Sequence, residues 1–204
     1  MALIEPYTVE IGGGRKVVVR TPTEADAAQM LDHINDVRMT SAYTVTQPGE
    51  GIQTVDEERE FITKQLDNPN ALIVCAEENG TVVGACLFRS NDRRRMAHHG
   101  HFGIGVNSTH RGLGIGRMLL TALLDWATCH PTIRKVCLGC FADNVRALKL
   151  YRELGFVEEG RRMGEFRDDE GQYFDDVQMM KWVKEPPVAV AEWLAQNGPK
   201  NPQV

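Results

Sequence analysis

His110-Arg111-Gly112-Leu113-Gly114-Ile115-Gly116-Arg117 decides how this chain is read. The residues before it, Phe102-Gly-Ile-Gly-Val106, end a predicted strand that starts near Ala97, and the apolar run after it predicts a helix to about Cys129. Alternating glycines let the backbone come close to a ligand. The first N–H groups of a helix lack partners within it, and the helix dipole favours an anion there. Arg111 and Arg117 add positive charge on either side. A strand, this loop and a helix in that order form a cradle for a pyrophosphate.

Two familiar phosphate-binding classes fail on residue identity. A dinucleotide-binding fingerprint needs glycine where Arg117 stands and an acidic residue ending the next strand, which here ends near Phe141-Ala142 with Asp143 just beyond. A P-loop needs Gly-Lys, and no such pair occurs in the 204 residues. What remains is Arg111-x-x-Gly114-x-Gly116 behind an apolar strand. It resembles the coenzyme A motif of the GNAT N-acetyltransferase family. Asn144-x-x-Ala147-x-x-Leu150-Tyr151, followed by Leu154-Gly155-Phe156, resembles that family's second signature. The likeness runs from about Val17 to Val183.

The rest of the chain supplies mixed α and β elements. Val17–Arg20 predicts a short strand, and Thr21 or Thr23 caps a helix from about Glu24 to Arg38. Thr54 opens Val55-Asp-Glu-Glu58, a capping pattern for a helix to about Asp67. Leu72–Glu77 and Val82–Phe88 predict paired strands around the Asn79-Gly80 turn. Arg134–Phe141 predicts a strand and Asn144–Leu154 a helix stopped by Gly155, followed by a hairpin of 156–166 and 173–183. The resemblance implies an α/β (mixed α+β) GNAT fold: a mostly antiparallel twisted sheet, flanked by helices and splayed at the two parallel strands that hold coenzyme A. The expected division is a domain over 1–184 and a proline-rich tail over 185–204.

The resemblance also implies roles. Acetyl-CoA is the expected co-substrate, and the expected reaction is direct acetyl transfer to a primary amine or peptide N-terminus in a ternary complex. Arg111, Gly112, Leu113, Gly114, Ile115, Gly116 and Arg117 would hold the pyrophosphate. Ile104, Gly105 and Val106 would hold pantetheine, one backbone N–H polarising the thioester. Asn144 and Ala147 would meet the middle of the pantetheine arm. Ala147, Leu150, Tyr151 and Leu154 follow helical spacing, which puts Tyr151 on the apolar side. The resemblance makes Tyr151 the acid that protonates the leaving thiolate. Many relatives carry Glu in a segment resembling Gly-Glu-Leu-Gly-Ile; here it reads Gly100-His101-Phe102-Gly103-Ile104. A base and a structural histidine are both open readings of His101. Tyr43, Thr46 and Gln47, in the loop from Met39 to Gly51, are acceptor-site candidates. A non-catalytic acyl-CoA sensor on the same fold is the rival reading.

Composition narrows the remaining classes. With 23 Lys+Arg against 28 Asp+Glu, the net charge of −5 argues against a nucleic-acid binder. Five cysteines without framework spacing argue against a disulfide scaffold. Cys137 and Cys140 sit three apart on a strand, so their thiols should point to opposite faces. His98, His99 and His101 do not share one face, so no metal site is expected. Arg93-Arg94-Arg95 reads as a solvated loop, and the acidic group 168–176 as a surface that attracts a cationic acceptor. Neither a signal sequence nor a run of ~20 apolar residues is found, and the expectation is a cytoplasmic protein without a membrane role. A homodimer is common in the family.

Overall fold

The computed structural model describes residues 3–198. Eight strands form one sheet: β1 (Tyr7–Ile11), β2 (Arg15–Arg20), β3 (Ala71–Glu78), β4 (Thr81–Ser90), β5 (His99–Val106), β6 (Lys135–Phe141), β7 (Val157–Arg167) and β8 (Tyr173–Trp182). Their order is β1-β2-β3-β4-β5-β6-β8-β7, and among the described residues only β5 and β6 pair in parallel. The helices are α1 (Ala27–Thr40), α2 (Val55–Asp67), α3 (Ile115–Cys129), α4 (Val145–Glu153) and α5 (Val188–Asn197).

β3 reads Ala-Leu-Ile-Val-Cys-Ala because both its faces are covered. Leu72, Val74 and Ala76 join the cluster under α3 with Leu119 and Leu123, while Ile73 and Cys75 join Met30 of α1 and Ile62 of α2. The sheet therefore lies between two helical layers, α1 and α2 on one face and α3 and α4 on the other. The expected turn between β3 and β4 forms, with Asn79 and Gly80 at φ 50° and 81°. The capping box at Thr54 also forms: its Oγ1 accepts the Glu57 N–H at 3.2 Å, and Glu57 Oε2 accepts the Thr54 N–H at 3.0 Å.

Two elements depart from the sequence reading, and a third is sharpened. β1 was not anticipated, yet Val9 and Ile11 alternate ahead of the Gly12-Gly13-Gly14 turn, and Val9 pairs with Val17. The helix expected from Glu24 starts as a 3-10 turn, Glu24–Asp26, because the Asp26 carboxylate accepts the Thr23 N–H at 2.6 Å and pairs with Arg20 at 2.7 Å. The segment called a tail contains α5, whose Leu194 packs against the cluster of Cys137, Val157 and Met180. Residues 199–204 of that segment lie outside the described residues.

Cys137 and Cys140 diverge as expected: Cys137 joins that small cluster, and Cys140 the main core on the other face. Burial pushes their thiols up to about 11 and about 12, so neither is an activated nucleophile. Glu58 of α2 is fully buried, neither carboxylate oxygen has a partner, and burial pushes its carboxyl up to about 7. Among the described residues no helix is long and apolar enough to cross a membrane, and no cluster of metal-ligating side chains occurs.

Candidate active site

β5 and β6 pair only at His99↔Lys135, Gly100↔Val136 and His101↔Cys137. Beyond that point β5 continues on β4 as far as Val106↔Gly84, and β6 continues on β8 as far as Phe141↔Asp176. The two parallel strands thus splay, each held by its other neighbour. Asn107 N–H donates to Val83 O and Asn91 N–H to His99 O, so the odd residues of β5 bond to β4. The backbone groups of Ile104 and Val106 therefore face the gap. Those of Gly105 face β4, so Gly105 lines the cleft without offering the gap a backbone donor. Its missing side chain matters instead, since a Cβ there would lie 2.9 Å from Val37 Cγ2 of α1.

The gap opens into a cleft of about 940 Å³. At its mouth stands the glycine loop. Gly112 and Gly114 have φ of 91° and 87°, a region that L side chains rarely adopt. Gly114 is the N-cap of α3, so the N–H groups of Ile115, Gly116 and Arg117 begin the helix without internal partners. The Ile115 side chain is 1% exposed in the core, and only its backbone serves the loop. Leu113 packs on the core and does not line the cleft.

Both arginines that framed the loop in the sequence are engaged within the protein. Arg111 donates from Nε to Val106 O at 3.1 Å, and to Thr40 O and Oγ1 at 2.9 and 2.6 Å. Arg117 pairs with Glu153. The cation left open is Arg146, on the first turn of α4. It lines the cleft, its Nη2 lies 3.4 Å from where a Cβ on Gly112 would stand, and it has no carboxylate within 4 Å among the described residues. Sequence reading missed it because no spacing rule relates residue 146 to residue 112.

Arg111 belongs to a set of ties that fix the exit of β5 to α1. His33 is hydrogen-bonded to Asn107, Asp36 accepts Ser108 N–H and Oγ–H at 2.7 and 2.9 Å, and Thr40 receives Arg111. Positions 33, 36 and 40 share one helix face. The loop that carries Tyr43 starts directly after Thr40.

Asn144 is the N-cap of α4 and not a residue within it. Its Oδ1 accepts Ala147 N–H at 3.2 Å, which leaves its amide N–H₂ for the cleft that both residues line. Tyr151 lines the same wall and is 7% exposed, edge-on to Phe102 and Phe156 at 5.8 and 6.0 Å. Burial raises its phenol above the usual tyrosine value, so it stays protonated.

His101 stands on the other face. Phe102, Ile104 and Val106 pack with α3 and α4, whereas the His101 ring lies beside His99, at 6.3 Å between centroids. It does not line the cleft; it sits at the foot of the splay on the α1 side. Tyr43 lines the cleft, but Thr46 and Gln47 do not, because their loop turns back on itself: Gln47 bonds Thr44 O and Glu50 Oε2. Arg93, Arg94 and Arg95 are all exposed, as expected of a solvated loop.

Residues 37–156 match the acetyltransferase (GNAT) family, more than half of the chain. The chain belongs to that family. This acetyltransferase fold is also that of a GNAT protein from Streptococcus pneumoniae, with a TM-score of 0.79 and 26% identity over 81% of this chain and 99% of that one. Spermidine N(1)-acetyltransferase of Vibrio cholerae is 29% identical over 140 residues, 68% of this chain and 78% of the relative. The L-amino acid N-acyltransferase MnaT of Escherichia coli is 31% identical over 146 residues, again 68% of this chain and 78% of the relative. A Salmonella typhimurium protein solved with acetyl-CoA shares the fold, with a TM-score of 0.75 over 84% of this chain and 96% of that one, at 20% identity. The GNAT relatives thus bear names for different acceptors.

Proposed function

We propose that this protein transfers the acetyl group of acetyl-CoA to a primary amine by direct attack in a ternary complex. The splayed gap carries the reading: the backbone groups of Ile104 and the N–H of Val106 on one side, the start of α3 at the mouth, and a protonated Tyr151 on the wall. The first turn of α3 and Arg146 hold the pyrophosphate, and Asn144 with the β5 edge holds pantetheine. Leu113 supports the loop from the core, while Arg111 and Arg117 line the cleft but are tied to Val106, Thr40 and Glu153.

In the reaction the amine nitrogen attacks the thioester carbon, and the N–C bond forms as the C–S bond breaks. A β5 backbone N–H stabilises the oxyanion. The departing thiolate takes the Tyr151 proton. The amine proton passes to His101, directly or through water, on the acceptor side of the sheet. Neutralising an amine of pKa ~10.4 near pH 7 costs roughly 4–5 kcal/mol, which is the reason a base is needed.

Calorimetry with acetyl-CoA and thiol release across an amine panel test the assignment. Binding should weaken about tenfold in Arg146→Ala, the loss of one charge-assisted contact. Binding without thiol release from any amine would make the protein an acyl-CoA sensor. Tighter binding of a dinucleotide than of coenzyme A would overturn the donor assignment.

The pH profile separates His101 from a bystander. Burial is the largest influence on its pKa and holds it below 6.5. A base works in its neutral form, so the rate should rise with pH up to that pKa and then level off. His101→Ala should erase this acidic limb; an unaltered limb would assign the base elsewhere.

A further inference from the structure

We propose that the acceptor side of the cleft takes a primary amine carrying a planar apolar group, an arylalkylamine in preference to a linear polyamine. This rests on the acetyl-transfer reading and names its substrate class. Four aromatic rings from four separate segments meet beside the gap. Phe141, the last residue of β6, stacks on Phe166 of β7 with centroids 3.9 Å apart and planes 12° apart. Tyr43 meets Phe141 edge-on at 5.8 Å, and Phe174 of β8 backs it at 6.0 Å. Tyr43, Phe141 and Phe166 line the cleft itself.

None of these four rings belongs to the main core. Aromatic side chains left partly open in a cleft mark a surface that a ligand covers. The floor beside them is bare. A Cβ on Gly103 would have nothing within 4 Å, which leaves room for a substrate against the sheet. The wall is assembled deliberately: β7 bulges between Arg162 and Phe166, and the Asp175 carboxylate holds the bulge by accepting Gly164 N–H at 2.9 Å. That bulge sets Phe166 opposite Phe174 in register.

Arg161 and Arg162 beside the wall are already paired. Arg161 lies 3.4 Å from Asp175 and 3.7 Å from Glu158; Arg162 lies 3.2 Å from Glu165 and 3.7 Å from Asp176. Asp176 also accepts Cys140 N–H at 2.9 Å. Neither of these two guanidiniums is left for an acceptor carboxylate, and the β8 carboxylates Asp175 and Asp176 are committed within the protein. What the wall offers is flat apolar area, which rewards a ring and gives little to a second ammonium group.

The test uses the full chain, 2-phenylethylamine and spermidine. With acetyl-CoA, kcat/KM for 2-phenylethylamine should exceed that for spermidine by at least about tenfold, the range of one well-packed apolar contact. Phe166→Ala should remove most of that ratio, and Phe166→Leu, which keeps apolar bulk on the strand, should remove part of it. Amine binding to the protein–coenzyme A complex, measured by calorimetry, should show the same order. Preserved binding preference without turnover would reject acetyl transfer and keep the acceptor class. Equal or better use of spermidine would overturn the proposal and assign the rings to cation–π contact with Asp143, also in the cleft lining, as the counter-charge. An unchanged ratio in both Phe166 variants would overturn it as well.

Discussion

Tyr151→Phe should lower kcat for acetyl transfer at least ~100-fold while the Kd for acetyl-CoA stays within about twofold, as expected for removing a general acid. The substitution keeps the ring and therefore its edge contacts with Phe102 and Phe156. Only the proton is lost. Because burial raises the phenol pKa, the wild-type group is fully protonated across the working range, so Tyr151 should add no basic limb to the profile below pH 10. Single-turnover thiol release isolates the chemical step from product release. If the two proteins turn over alike, water protonates the thiolate and Tyr151 is only a wall. A fall in cofactor affinity of the same size as the fall in kcat would point to lost packing.

Gly100→Ala should be the most damaging small substitution in the sheet. A Cβ there would lie 2.2 Å from Arg89 O and 2.6 Å from Phe88 Cζ. The carbonyl is backbone and Phe88 is fully buried, so neither can step aside cheaply. The expected cost is about 3 kcal/mol, the upper part of the usual overpacking range. For a chain of this size that lowers Tm by roughly 6–12 °C. Gly100 also pairs with Val136 one position before the splay, so the shift should loosen the foot of the cleft and weaken acetyl-CoA binding. Gly103→Ala is the control, since nothing lies within 4 Å of its added Cβ and its Tm should hardly move. Equal melting of Gly100→Ala and wild type would mean that the close approach of β4 and β5 relaxes without cost.

The proposed donor half of the site is legible in the sequence because it is local. Gly112, Gly114 and Gly116 act through the backbone of one continuous loop, and a loop's spacing is written in the sequence. Tyr151 was legible for the same reason, through the apolar period of a single helix. Arg111 lines the cleft, but its internal partners Val106 and Thr40 were not legible, since the latter lies 71 residues away on another element. Thr46 and Gln47 were named from their loop alone, and that loop closes on itself. Arg146, Phe141 and Phe166 carried no motif.

By itself, then, the sequence determined the order of elements, the glycine loop ahead of α3, the apolar helix bearing Tyr151 and the two faces of the strand holding Cys137 and Cys140. Each depends on a period of two or 3.6 residues, or on a glycine's freedom, and needs no distant partner. Only the tertiary structure decided which side of the sheet each group serves. The splay exists because β4 and β8 pull β5 and β6 apart beyond His101. That puts Tyr151 on one face and His101 on the other, and it brings Tyr43, Phe141, Phe166 and Phe174 together from four separate segments. Contacts of that kind are set by sheet topology, in which strands far apart in sequence become neighbours.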